Sequence, residues 1–466
     1  MRWEGKHVAL IGLGISNMAV ARYLVANGAI VTACDQKSAA ELGARYVELT
    51  KLHVEFQLGP GYLANLERFD ALFLTPGVPK HLPELRQAQA AGVLFSSEMN
   101  LFFDICRAHI IGITGSSGKT TTTTLLGELL SAADYSTHVG GNIGRPLVEV
   151  AGELEQHSWA VMELSSFQLE LLQRSPEIAL ITNITPNHLD IHLSMDDYIQ
   201  AKSHVFTYQH PDDWAVFNYD NETTRRLAAK APGRVAWFSR KQVVDRGACV
   251  IDQRIMIANG GTLSQVCHTD EIKLMGQHNV ENVLAAIAVA DLVGCSIGAM
   301  RDVVTSFTGV EHRLELVRTA DGIAYYNDSK ATTPAGTIAA LNAFNRPVVL
   351  IAGGYDKNLP FDELASTVVQ KAKHVVLLGA TSDKIASAVV AASATTVAGT
   401  LIPQIEFAAS LEEAVILAKA VAVPGDVILL SPACASYDMY SNFEERGRHF
   451  REIVGRLTEA ETPTRS

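Results

Sequence analysis

The sequence has no cysteine pair at metal-ligand spacing, no long apolar run and a shortage of positive charge. Its six cysteines, Cys34, Cys106, Cys249, Cys267, Cys295 and Cys434, form no Cys-x-x-Cys pair. That excludes zinc-ribbon and dithiol motifs, and in a 466-residue chain it points to reduced, mostly buried thiols and a cytoplasmic location. No uninterrupted apolar stretch reaches about 18 residues, so no membrane insertion is expected. Gly12, Gly14 and Asn17 interrupt the N-terminal apolar run, and 8–13 reads as a first buried strand rather than a leader. Lys and Arg total 38 against 50 Asp and Glu, a net charge of −12. A basic nucleic-acid-binding surface is thereby excluded. Any anionic substrate must be held by individual lysines, arginines and loop N–H groups.

The composition, 48% apolar and 19% charged, supports large buried cores. A chain of this length is expected to hold roughly three domains. Strand-like runs at 7–12, 30–35, 71–75 and 93–96, with a helical pattern at 17–27, predict a parallel, Rossmann-like first domain over 1–105. Gly12-x-Gly14 and Asp35 match part of a dinucleotide fingerprint, but Asn17 occupies its third glycine position. A nucleotide-like ligand fits this better than a redox cofactor does. A central α/β domain is predicted over 106–309, with strands at 159–163, 178–182, 214–218, 235–238 and 250–258 and a buried helix at 276–293. A Rossmann-like C-terminal α/β domain is predicted over 310–466, with 323–327 as its first strand, further strands at 348–353, 374–378 and 426–430, and helices at 333–344, 361–372 and 411–421.

The densest signal is Ile110-Ile111-Gly112-Ile113-Thr114-Gly115-Ser116-Ser117-Gly118-Lys119-Thr120, followed by Thr121. An apolar strand feeds a glycine-rich turn and then a helix, the layout of a P-loop ATPase-type phosphate site. Backbone N–H groups of Gly115, Ser116, Ser117 and Gly118 would cradle phosphates, Lys119 would reach the β- and γ-phosphates, and the Thr120 hydroxyl would face Mg²⁺. Ile113 stands where the longer version of this loop has its first glycine, so the loop is short. The chain is expected to use ATP.

Other reactive residues fall at strand ends, where ligands of open α/β sheets bind. Glu163 ends the 159–163 run and suits a Mg²⁺ ligand or a solvated edge position equally well. His188, Asp190 and His192 cluster after the next strand, as metal or proton-transfer groups or as a turn rich in capping residues. Asp328 and Lys330, Lys357, and Ser436 follow three strands of the last domain, and the lysines could serve an anionic substrate.

These segments together resemble the Mur ligase family. The resemblance rests on Thr114 to Thr120, Glu163-Leu164-Ser165-Ser166-Phe167-Gln168, Asn187-His188-Leu189-Asp190, Tyr198-x-x-x-Lys202, Gly276-x-His278-Asn279-x-x-Asn282, His312-Arg313 and Asn327-Asp328-Ser329-Lys330. The run from Leu430 to Gly447, with Ser436, Phe443 and Arg446, and the Thr75-Pro76-Gly77-Val78 segment look like the D-glutamate-adding branch. The resemblance implies an ATP-dependent ligase that phosphorylates the carboxylate of UDP-N-acetylmuramoyl-L-alanine. The amine of D-glutamate then attacks the acyl phosphate, in cytoplasmic peptidoglycan synthesis.

It also implies site residues. Thr120 and Glu163 would hold one of two Mg²⁺ ions, His188 and Lys202 the other, with Lys202 carbamylated to N6-carboxylysine. Ile15, Ser16, Asp35, Gln36, Lys37 and Gly77 would line the UDP pocket, although Gln36-Lys37 departs from the family's threonine or serine followed by arginine. Asn142 and Ser165 would lie near the sugar and alanyl part. Asn279, Asn282, Arg313, Asp328 and Lys330 would meet the nucleotide, and Thr332, Lys357, Ser436 and Phe443 would hold D-glutamate. A monomer is expected, closing its third domain on the second to keep water from the acyl phosphate. The alternatives are a sister ligase, folylpolyglutamate synthetase, or a nucleotide-gated binding protein with a non-catalytic loop. The first domain disfavours the second of these, and intact Lys119, Thr120 and Glu163 disfavour the last.

Overall fold

Runs of three to seven residues, too short for stable helices, assemble into three sheets in the computed structural model, which describes residues 3–76, 78–142, 146–186, 192, 194–274, 276–357, 359–394 and 402–457. The first sheet contains β1 (His7–Ile11), β2 (Ile30–Asp35), β3 (Glu55–Leu58), β4 (Ala71–Leu74) and β5 (Leu94–Ser96), in the order β3-β2-β1-β4-β5. All its pairings are parallel. β1, β2 and β4 are buried along almost their whole length, as expected of parallel strands covered on both faces.

Strand order reverses between β1 and β4, the point at which such sheets bind ligands. Asn17 explains why the fingerprint is broken there. It is fully buried on the helix Ile15–Ala26, and its amide Nδ2 donates to the carbonyls of Ile11 (3.2 Å), Gly12 (2.8 Å) and Phe73 (3.0 Å). A glycine would leave the two strand ends untied. Gly12 itself is required: its φ is +79°, and a Cβ would fall 2.5 Å from Thr75 Oγ1.

The second sheet contains β6 (His109–Thr114), β7 (Thr137–Gly141), β8 (Trp159–Glu163), β9 (Ile178–Ile181), β10 (Trp214–Asn218), β11 (Arg234–Ser239), β12 (Arg246–Ile251), β13 (Arg254–Asn259) and β14 (Thr262–His268). Its order is β14-β13-β12-β11-β10-β9-β6-β8-β7. It is parallel from β7 to β12 and antiparallel through β13 and β14. The single strand expected at 250–258 is instead a hairpin. Asp252 (φ +48°) and Gln253 (φ +62°) reverse the chain between apolar residues, in a turn without the usual Asn-Gly signal. The helix Gln277–Val293, buried throughout 282–290, packs on the helix Lys119–Ala132 and on β11 and β12.

The third sheet contains β15 (Glu315–Ala320), β16 (Ile323–Asn327), β17 (Val348–Ala352), β18 (Ala372–Leu377), β19 (Gln404–Phe407) and β20 (Val427–Leu430), ordered β15-β16-β20-β17-β18-β19. Only β15 is antiparallel among the described strands. Hence 323–327 is not the first strand of this sheet: β15 precedes it through the turn at Asp321-Gly322 (φ +54° and +74°).

The chain divides into two compact units. One is Met1–Lys273 with Gln277–Phe307 and carries the first two sheets; the other is Leu274–Gly276 with Thr308–Ser466 and carries the third. Within the first unit a continuous apolar cluster runs from Leu10 and Phe73 through Phe102 to Leu164, Phe206 and Phe217, so its two sheets share one core. Among the described residues no helix is long and apolar enough to cross a membrane.

Restoring the fingerprint glycine tests the account of Asn17. Asn17→Gly removes three buried hydrogen bonds and adds helix-interior entropy, so unfolding free energy should fall by roughly 2–4 kcal/mol in urea titration. An unchanged midpoint would contradict the role given to the amide.

Candidate nucleotide and substrate site

β8, β6 and β9 are adjacent, and their carboxyl ends carry Glu163, the phosphate loop and Thr182-Asn183 respectively. The loop leaves β6 at Gly115, whose φ is +148° and whose missing Cβ would lie 1.9 Å from Thr182 Oγ1. The next strand end holds the loop: Ser116 N donates to Asn183 O (2.9 Å), Ser117 N to Asn183 Oδ1 (3.0 Å), and Thr182 Oγ1 to Ser117 O (2.6 Å). Gly118, at φ +82°, lets the loop touch Asn282, whose Oδ1 would be 2.2 Å from a Cβ there. Asn282 Nδ2 in turn donates to Asn279 Oδ1 (2.9 Å). The helix Lys119–Ala132 begins directly after, so its first-turn N–H groups point out of the same end of the sheet. The loop, Thr120, Thr121, Asn279 and Asn282 are therefore brought together.

Two lysines converge on this loop. Lys119 Nζ and Lys202 Nζ each donate to the Gly115 carbonyl at 2.9 Å. Lys202, on the helix Met195–Thr207, is 1% exposed; its ammonium also donates to Thr114 Oγ1 (3.3 Å) and lies 4.7 Å over the Tyr198 ring. Burial, reinforced by the Lys119 charge and opposed by Glu163, lowers the Lys202 pKa to about 6. Glu163 is buried at the end of β8. Its Oε1 accepts from Asn142 Nδ2 (2.9 Å), while Oε2 has no protein partner among the described residues. A buried carboxylate oxygen left open beside a phosphate loop suits a hard cation.

Of the histidine–aspartate cluster, His188 and Asp190 lie outside the described residues. His192 is buried, its Nε2 2.9 Å from Ser166 Oγ, stacked on Phe167 at 5.1 Å and edge-on to Tyr198. Burial holds it below the usual imidazole range, and its geometry is that of a packing residue. Among the described residues no three His, Cys, Asp or Glu side chains gather as a metal site.

The residues expected around UDP fall at the switch point of the first sheet. Ile15, an apolar side chain 68% exposed, and Ser16 open the helix Ile15–Ala26; Gln36 and Lys37 are exposed after β2. Gly77 is outside the described residues. The Asp35 carboxylate accepts from Leu13 N (2.8 Å) and Lys37 N (2.9 Å), fixing the loops around it. A narrow cleft joins Ser16 and Thr75 of the first sheet to Phe167 and Gln168 after β8. Ser165 caps that turn reciprocally with Gln168, which places Gln168 in the cleft wall. The cleft also contains Lys80 and Glu98, which belong to none of the motifs. Their signal was charge inside otherwise apolar segments, which composition alone does not separate from a solvated surface.

In the second unit Arg446 organises the strand ends. This 3%-exposed guanidinium donates to Ser329 Oγ and O, Ala435 O and Cys434 O, tying the loop after β16 to the loop after β20. Asp328 is buried and accepts from Ser431 Oγ (2.7 Å) and Leu314 N (3.2 Å); burial pushes its carboxyl up to about 7. It thereby holds the His312-Arg313 segment in place. Lys330 reaches the Phe443 ring, 6.0 Å from its centroid. Lys357 is exposed and donates to the Thr332 carbonyl (3.4 Å), while Tyr355 pairs with Ala435, next to buried Ser436. Thr332, Lys357 and Ser436 thus share one end of the sheet, with Phe443 beside Lys330.

Three family models match the chain: a Mur ligase MurD-like N-terminal domain over 6–96, a Mur ligase middle domain over 113–290, and a Mur ligase glutamate ligase domain over 312–434. A protein of Symbiobacterium thermophilum called UDP-N-acetylmuramoylalanine–D-glutamate ligase is 51% identical over 97% of this chain and 98% of its own. One of the same description from Acetivibrio thermocellus is 45% identical over 97% of both. Among solved structures, MurF from Acinetobacter baumannii superposes with a TM-score of 0.59 at 19% identity, covering 97% of this chain and 92% of its own. The UDP-N-acetylmuramate–alanine ligase of Thermotoga maritima gives 0.57 at 21% identity, covering 97% and 99%. At that identity the two structures establish the fold alone.

Glu98 makes the electrostatics of the cleft measurable. It is buried beside Val148 N, its nearest donor at 3.4 Å, and burial pushes its carboxyl up to about 7. The folded state therefore binds more protons than the unfolded state between about pH 4.5 and 7, so this group removes stability as pH rises through that window. Glu98→Gln should flatten that slope and raise stability at pH 8 by roughly 1–3 kcal/mol in pH-dependent urea melts. A slope unchanged by the substitution would refute the assignment.

Proposed function

The chain belongs to the Mur ligase family, and from this we propose that it joins D-glutamate to UDP-N-acetylmuramoyl-L-alanine at the expense of ATP. The names of its full-length relatives support the substrates. The observation that carries the chemistry is the convergence of Lys119 and Lys202 on the Gly115 carbonyl beside the open oxygen of Glu163. The reaction must bring a carboxylate against the γ-phosphate, two anions that repel each other. Lys119 and the first-turn N–H groups supply positive potential there. The L-alanyl carboxylate attacks the γ-phosphorus and ADP departs, leaving an acyl phosphate. The D-glutamate amine then adds to the carbonyl carbon, loses a proton, and inorganic phosphate leaves.

The open oxygen of Glu163, beside the loop that carries Thr120, fits a Mg²⁺ ion of the kind the family implies. Thr120 and Glu163 would hold one ion, and His188 with Lys202 a second. When bound, the ions would neutralise the phosphate and carboxylate charge. An ammonium cannot be a ligand, and the environment of Lys202 supports the remedy. With its pKa lowered to about 6, the amine is largely neutral near pH 7 and can add CO₂, releasing a proton and forming an anionic carbamate.

On the same reading, Arg313, Asp328 and Lys330 serve the nucleotide, and Lys357 pairs with the side-chain carboxylate of D-glutamate. The domains divide near residues 105 and 309, and the enzyme works as a cytoplasmic monomer.

Phosphate release from ATP should require both UDP-N-acetylmuramoyl-L-alanine and D-glutamate, with a product heavier by one glutamyl residue. Release with another amino acid would move the chain to a sister activity, and no release would return it to nucleotide binding alone. Lys202→Ala should lower turnover by roughly 100-fold, be partly rescued by a small carboxylic acid, and lose a carbamate carbon signal after labelling with ¹³C-bicarbonate. Lys357→Ala should raise the D-glutamate KM by about tenfold or more while leaving the ATP KM unchanged. Equal effects on both would refute its assigned role.

A further inference from the structure

Lys80 follows β4 in the first unit and belongs to none of the motifs that identify the site. Its side chain is 18% exposed, and its Nζ is buried 2.5 Å from Glu170 Oε2, on a side chain that is itself 42% exposed. Among the described residues no backbone carbonyl or hydroxyl accepts from that ammonium. A buried cation with one half-exposed partner is poorly compensated, because Glu170 keeps much of its hydration and gives little in return. Burial lowers the Lys80 pKa accordingly.

The surroundings give the charge a use. Lys80 lines the cleft with Ser16, Thr75, Glu98, Phe167 and Gln168, and among the described lining residues it alone is a Lys or Arg. Ser16 sits in the first turn of a 12-residue helix whose N-cap, Gly14, offers no side-chain cap and whose first turn has no acidic residue. Its N–H groups remain available to an anion. The walls are held together independently of Lys80: Asn100 Nδ2 donates to Leu171 O (2.8 Å) and Arg174 Nη1 to Phe103 O (3.2 Å). In a chain of net charge −12, a diphosphate group at the mouth of this cleft meets one helix end and one ammonium, with the Glu98 carboxyl as the opposing acidic group.

We propose that Lys80 is a specificity-determining residue for the diphosphate of the UDP-linked substrate, exchanging the Glu170 carboxylate for a phosphate oxygen when that substrate binds. The inference rests on the function proposed above. Glu170 acts as a stand-in anion: it keeps the buried ammonium compensated in the empty cleft and competes with the ligand.

Calorimetric titration of the full-length protein with UDP-N-acetylmuramoyl-L-alanine, UDP and UMP tests the exchange, alongside steady-state kinetics. Lys80→Met should weaken UDP and the full substrate at least tenfold and UMP less. It should raise the KM of that substrate with kcat and the KM values of ATP and D-glutamate within twofold, and Lys80→Arg should restore most of the affinity. Glu170→Gln should tighten UDP severalfold. If Lys80→Met lowers the melting temperature but leaves UDP affinity intact, the pair is only structural and the proposal is overturned. If Lys80→Met does not fold, Glu170→Gln decides, and unchanged or weaker UDP binding overturns the proposal. A wild-type protein that binds neither UDP nor the full substrate overturns the functional reading as well, whereas normal wild-type binding with an indifferent Lys80 overturns this inference alone.

Discussion

Everything at the candidate nucleotide site depends on one carbonyl oxygen accepting from two lysines. Gly115 O receives Lys119 Nζ and Lys202 Nζ at the same 2.9 Å distance. Two ammonium groups so placed repel each other, and one of them is almost fully buried. The conflict can be relieved by an anion between them or by loss of a proton from one. Burial selects Lys202 for the second course, with its pKa lowered to about 6, while Lys119 stays on the helix end that faces phosphate. The same crowding that destabilises one cation therefore makes it a usable amine and leaves the other for the nucleotide.

That arrangement requires a loop that cannot relax, and the neighbouring strand supplies the restraint. Thr182 and Asn183 bind Ser116 and Ser117 through both backbone and side chain. Gly115 and Gly118 are the positions where a side chain would collide with Thr182 and Asn282. The first sheet is built on the same logic with different residues. Asn17 ties the ends of β1 and β4 together, Gly12 allows the close approach of Thr75, and Asp35 fixes the loop after β1. Both loops are held by polar contacts from the adjacent strand end, so each has a fixed backbone without a ligand.

Much of this was legible in the sequence because parallel strands are buried on both faces and read as short continuous apolar runs. β2, β8, β10 and β16 coincide with the runs 30–35, 159–163, 214–218 and 323–327. What escaped detection lacked that contrast. β7, Thr-His-Val-Gly-Gly, has a single large apolar residue; β15 and β19 are edge strands with exposed polar positions; the β12–β13 turn is Asp-Gln. At the site, the phosphate loop and Glu163 were visible from spacing and strand-end position. Lys202 was visible only through the family resemblance, since a lysine on a helix carries no sign of burial. Lys80, Glu98 and the loop-holding role of Asn183 depend on contacts between segments distant in sequence.

Among the described residues several buried polar atoms lack a hydrogen-bond partner, Asn17 Oδ1, Gln209 Oε1 and the Tyr325 hydroxyl among them, so it is position as well as satisfaction that separates scaffold from site. The Asn17 amide nitrogen has three carbonyl partners, Arg446 has four acceptors on two loops, and Asp35 has two N–H donors. Each fixes geometry, and none has a reason to change partners. Glu163 Oε2 has no partner, and Lys80 has one half-exposed carboxylate. A buried polar atom left in that state costs free energy, and at these two positions a ligand can supply the missing partner. Glu163 ends β8 and Lys80 lies in the segment that follows β4, one on each of the two sheets that share a core. Their incomplete satisfaction is therefore read as binding capacity held ready: an oxygen for a cation at the second sheet and an ammonium for an anion at the first.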